Sequence, residues 1–216
     1  MFPYSYLYLV QTILVSIPTI VGWYRYKELE KGHQYFFYYL LLSTGFFLSN
    51  LIIDELMVKT KILYGWYAAS GFLLFHILYF WESSLKMKQV FRIFALLSPF
   101  FILTEFIIRL KELIKIPSYV FIMMSVIFSL LILPQLLDQF TNNKKAWTNS
   151  KVLILVPLVL SFLLNALLHI IYVVIFSTST QLILGQSSFV LRVLFLFSYF
   201  SFTIAMLWAP RKEVYI

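Results

Sequence analysis

Apolar positions along the chain gather into seven runs, near residues 3–23, 35–53, 62–82, 93–109, 117–137, 152–176 and 189–209. As a helix rising 1.5 Å per residue, each run is long enough to cross the hydrocarbon core of a bilayer. None alternates apolar and polar residues at period two, which excludes the strands of a membrane barrel. The polar stretches between the runs are short. The longest, DQFTNNKKAWTNSK at 138–151, is too small to fold alone. The pattern predicts an all-α membrane protein, a seven-transmembrane-helix bundle forming one domain over residues 1–216.

Polar positions at the run ends orient this bundle. Arg25, Lys27, Lys31, Lys86, Lys88, Arg92, Lys144, Lys145, Lys151, Arg211 and Lys212 fall on one side. Only Lys59, Lys61, Arg109, Lys111 and Lys115 fall on the other. Basic loops stay in the cytoplasm, so the N-terminus is predicted outside and the C-terminus inside a plasma (inner) membrane. Tyr4, Tyr6, Tyr8, Trp23, Trp66, Trp81, Trp147 and Trp208 lie near run ends, where aromatic belts form. The opening MFPYSYLYLV lacks a charged leader and a small-residue cleavage site, so it reads as a retained helix.

Composition agrees with this picture. The chain is 62% hydrophobic and 12% charged, far from the balance of a soluble domain. A net charge of +8 would point to nucleic acid in a soluble protein, but here the bases sit in short loops. No nucleic-acid partner is expected. With no cysteine, disulfides and thiolate metal sites are excluded. His33, His76 and His169 fall on three different helices, so no metal site is expected. No lysine in span seven can carry retinal, and no GxSxG motif or paired acids for hydrolysis appear. No catalytic residue and no cofactor are therefore assigned, and an enzyme is not expected.

Polar residues inside the runs are the candidates for function, because burying them in hydrocarbon is costly. Glu105 is the deepest acid. Arg109 lies four residues later on the same helical face, in the better order for an ion pair. Arg192, in the outer part of span seven, is the alternative partner, making an interhelical latch or an anion-facing pocket. In span six, SFLLNALLHIIYVV carries Ser161, Asn165, His169 and Tyr172 at helical spacing. That stripe must face protein or water. It either makes interhelical hydrogen bonds, about 0.6–2 kcal/mol each, or walls an outward-facing cavity with His169 as a titrating group. Thr12, Ser16 and Thr19 form a line in span one, and Ser43, Asn50 and Asp54 one in span two. His76, Glu82 and Gln135 are candidates for a cytoplasmic-side cluster. The ligand site expected is Glu105, Asn165, His169 and Arg192.

Two resemblances extend this reading. "IPTIVGWYRYKEL", "QYFFYYLLLSTGFFLSN", the mid-span Asn of "SFLLNALLH" and the closing "MLWAPRK" resemble a broad group of small, uncharacterised seven-span bacterial membrane proteins. Acidic positions expected in spans two and three of that group are uncharged here. The resemblance implies a fold, a membrane and, for some members, a signalling-protein partner, but no activity. "LILPQLLDQF" and "SIPTIVGWYRYK" resemble the PQ-loop transporters, with Pro134-Gln135 and Pro18-Thr19 at corresponding places in a three-plus-one-plus-three plan. This implies helix hinges at Pro18, Pro134 and Gln135. Only 6 glycines occur in 216 residues, which argues against helices broken around a central site. The function expected is a non-enzymatic, sensor-like or accessory membrane module acting through another membrane or signalling protein. It sits among membrane lipids and takes a small-molecule ligand. A small-solute transporter of PQ-loop type is the alternative, and an intramembrane enzyme the third.

Overall fold

The structure is a computed structural model. It describes the backbone of residues 3–53, 56–108, 119–142, 148–175 and 181–210. Side chains within these are described except at 3–8, 56–57, 59–60, 119–121, 142, 165, 168–169, 171–175 and 181–193. Among the described residues the chain forms seven α-helices: α1 (Pro3–Arg25), α2 (Lys31–Ile52), α3 (Leu56–Trp81), α4 (Leu85–Ile108), α5 (Tyr119–Asn142), α6 (Ser150–Ile175) and α7 (Gln181–Trp208). A 3-10 turn, Tyr26–Glu28, follows α1. Among the described residues, four stretches are long and apolar enough to cross a membrane: Lys31–Ile52, Lys61–Trp81, Leu85–Ile108 and Ile122–Thr141.

The helices overrun the apolar runs. α4 begins at Leu85 where the run begins near 93, and α7 begins at Gln181 where the run begins near 189. Hydropathy marks where apolar side chains stop, but a helix continues until its backbone is capped. LKMKQVFR contains no glycine or proline and is rich in good helix formers. Its first turn closes when the Lys88 N–H donates to the Ser84 carbonyl at 3.0 Å. The Glu82 carboxylate accepts from the N–H groups of Ser83 and Ser84, both at 2.9 Å, and so places a negative charge at the positive end of α4.

Each helix packs on its neighbour in sequence, except that α4 and α5 meet over a small area among the described residues. Contact between α1 and α7 closes the bundle. Aromatic pairs tie the interior. Phe36 of α2 meets Phe202 of α7 edge-on at 5.0 Å, and Phe75 of α3 meets Phe128 of α5 at 5.5 Å. Outward faces are apolar. Ile93, Leu96, Phe100, Leu103 and Ile107 are exposed along α4 at helical spacing, a surface suited to hydrocarbon rather than water. Small hydroxyls join helices within the bundle. Thr19 Oγ1 lies 3.0 Å from Thr44 Oγ1, and the Ser201 hydroxyl donates to the Leu153 carbonyl at 2.7 Å.

Candidate functional site

A network of described charged and polar side chains occupies one end of the bundle, where α1, α3, α5 and α7 finish and α2, α4 and α6 start. This is the end that the basic connections mark, and it is called the basic end below. At its centre is Glu30, the N-cap residue of α2. Its Oε1 lies 3.0 Å from His33 Nδ1, accepts from Trp81 Nε1 at 3.1 Å, and lies 3.5 Å from Lys151 Nζ. One carboxylate thus links the start of α2 to the end of α3 and the start of α6.

His33 is fully buried. Its Nδ1 faces a carboxylate and must carry the proton there, so in the neutral ring Nε2 accepts from the Ser150 hydroxyl, 2.9 Å away. The indole of Trp81 packs beside this ring at 5.2 Å. It also lies under Lys151 Nζ, 5.9 Å from the ring centre. Gly32 makes the packing possible, because a Cβ there would overlap the Trp81 indole. The close contact with His33 Nδ1 is the main influence lowering the Glu30 carboxyl pKa. The Lys151 charge lowers it further, against the opposing effect of burial.

Further contacts extend the network. Gln135 Nε2 donates to Glu82 Oε2 at 3.1 Å and to the Leu78 carbonyl at 3.3 Å, joining α5 to the end of α3. Asn149 caps α6 by accepting from the Lys151 N–H at 2.9 Å, and its own amide donates to Gln139 Oε1 at 2.7 Å. Arg25 closes α1 onto α7. Its guanidinium donates to the carbonyls of Met206 at 2.6 Å, Leu207 at 2.5 Å and Ala209 at 2.9 Å, which are left unpaired where α7 ends. Between α3, α5 and α6 lies a cavity of about 320 Å³, lined by Trp81, Glu82, Pro134, Gln135, Asp138 and Lys151 among others. Gln135 Oε1 in its wall is buried and meets no donor among the described residues.

Of the predicted ligand set, Glu105 is described. It is buried on α4, toward the end opposite this network. The side chains of Asn165, His169 and Arg192 lie outside the described residues, as do Arg109, Asp54 and the side chain of Tyr172. Ser161, the first member of the span-six stripe, lies 3.5 Å from Ser198 of α7, so the stripe starts at a helix contact. Pro18, Pro134 and Pro157 all sit inside helices that continue through them. Glu82 and Gln135 meet as a pair, but His76 does not join them. It stacks on Tyr35 at 5.2 Å, and its Nδ1 donates to the Phe72 carbonyl at 2.9 Å. From the sequence, Arg25 and Lys151 register only as topological charges, and His33 has no assigned role. The spacing Glu30-x-x-His33 at a helix start was the available signal.

The chain matches no protein-family model, no curated protein and no solved structure.

Proposed function

We propose that this is a seven-span inner-membrane protein, N-terminus outside and basic end cytoplasmic, acting without catalysis as a sensor-like or accessory module. The observation that supports it is the gathering of Glu82, Gln135, Asp138 and Lys151 around a 320 Å³ cavity at the basic end, with Glu30 bonded to Trp81 and Lys151 of its wall. A ligand there touches α3, α5 and α6 together, beside the seam where α4 and α5 barely meet. Glu82, Asp138 and Lys151 give the wall both signs of charge, which suits a small polar solute bearing an amine. The connections at this end are short, so any response leaves through the helix ends and loops to a partner protein.

A second reading rests on Pro134 and Gln135 lining the same cavity, as a PQ-loop transporter would place its hinge. Proteoliposomes loaded with amino acids, amines or sugars separate the two. The sensor-like reading expects no counterflow. Counterflow of any of these solutes that is lost on Pro134→Ala or Gln135→Ala makes the protein a transporter.

A further inference from the structure

A second, separate feature lies on the outer face of α2, α3 and α4, where an apolar groove of about 980 Å³ runs along the bundle. Tyr38, Gly45 and Ser49 line it from α2, Phe72 and Gly65 from α3, and Pro99 and Leu103 from α4. Toward the basic end the same three faces line a smaller pocket of about 180 Å³, with Tyr35 on α2, His76 on α3, and Arg92 and Ala95 on α4. The positions run in register. Tyr35 precedes Tyr38 by one turn, His76 follows Phe72 by one turn, and Arg92, Ala95, Pro99 and Leu103 step along one face of α4. The groove and the pocket are neighbours along the bundle: the Phe72 ring of the first lies 4.2 Å from the His76 ring of the second, and the Tyr38 ring 6.1 Å from that of Tyr35.

Chemistry gives the pocket the character of a head site and the groove that of a tail site. Arg92 is exposed at the pocket, Lys88 Nζ lies 5.9 Å from the neighbouring Tyr79 ring, and Lys31 Nζ lies 5.8 Å from the Phe80 ring. Among the described residues no carboxylate lines the pocket. The groove is almost wholly apolar and open where side chains are missing: a Cβ at Gly45 or Gly65 would meet no atom within 4 Å. From Tyr38 to Ser49 the helix rises about 16 Å, close to the roughly 15 Å depth of one leaflet of the hydrocarbon core. Stretches of all three helices are apolar and long enough to span a membrane, so the groove lies at acyl depth.

The geometry points to a bound phospholipid with an anionic headgroup. Arg92, Lys88 and Lys31 hold the phosphate end at the basic end of the bundle, and one acyl chain lies in the groove past Gly45 and Gly65. The lipid is a specific component of the protein. It docks by charge at one end and by shape at the other.

The full chain, purified in mild detergent, is exchanged with phosphatidylglycerol or with phosphatidylcholine, and the retained lipid is counted by native mass spectrometry. One phosphatidylglycerol is expected per chain, in preference to phosphatidylcholine. The double variant Lys88→Gln/Arg92→Gln should lower that preference about twenty-five-fold, some fivefold for each cation. Gly45→Phe with Gly65→Phe should abolish retention of both lipids, with the helical circular dichroism and elution volume unchanged. Gly45→Leu alone serves if the double substitution fails to fold. Retention of the two lipids to equal extent, of neither by the wild type, or undiminished retention by the plugged variant overturns the assignment. So does displacement of phosphatidylglycerol by inorganic phosphate, because the acyl chain would then contribute nothing.

Discussion

Replacing Glu30 by Gln keeps the side-chain shape and a carbonyl to accept from Trp81, but removes the negative charge facing His33 and Lys151. Hydrogen bonds to a charged group contribute about 1.5–3 kcal/mol, and partly exposed ion pairs about 0–1 kcal/mol. Glu30 is 35% exposed while His33 is fully buried, so the first contact outweighs the second. The expected loss is roughly 1–3 kcal/mol. For a chain of this length that corresponds to a fall of roughly 2–10 °C in melting temperature. The pH dependence isolates the cause. A carboxyl whose pKa is lowered by folding stabilises the folded state above its unfolded value, about 4.3, and that contribution disappears as pH falls through the folded value. Melting followed by circular dichroism in detergent should therefore show wild type above Glu30→Gln at neutral pH. The two should converge once the medium is acidic enough to protonate Glu30 in the folded protein. A gap that persists undiminished after that protonation would refute the assignment to charge.

Other substitutions probe the rest of the framework. Arg25→Gln should destabilise the bundle by about 2–4 kcal/mol by freeing the last carbonyls of α7. Arg25→Lys should restore less than half of this, because an ammonium cannot bridge three carbonyls as a planar fork does; thermal melting reads both. Gly32→Ala should cost about 1–3 kcal/mol by overpacking Trp81. Gly45→Ala, with open space around it, should be neutral or slightly stabilising in the same melt. Orientation is tested in the natural cysteine-free background: a membrane-impermeant maleimide applied to intact cells should label Ile53→Cys and leave Ser84→Cys unmodified, and the reverse pattern would invert the topology.

Helix number and approximate span were legible because apolar runs of about twenty residues have few structural solutions. Helix ends were less so. Lys31–Gln34 and Leu85–Arg92 are polar enough to look like loops, but they continue their helices, since Glu30 and the Ser84 carbonyl supply the start of each. Position along the chain also located Glu82 and Gln135 at one end, and they do pair. What periodicity could not show was the lateral arrangement. Glu30, Trp81 and Lys151 are each separated by fifty or more residues and meet only because α2, α3 and α6 finish or start at the same place. His33 is invisible to any rule that looks for polar groups in the middle of apolar runs, for it lies at a run's edge and is buried by Trp81 and Ser150. The groove past Gly45 and Gly65 is bordered by two absent side chains on different helices, α2 and α3, which no single helix reveals.

On the proposed function, the basic-end cavity reports to another protein. A photo-crosslinking residue at position 139, on the cavity wall, tests it in living cells. A discrete adduct with a second membrane protein is predicted, with a yield that changes when Lys151→Gln alters the same wall. Absence of any adduct, or an adduct indifferent to Lys151→Gln, contradicts the claim.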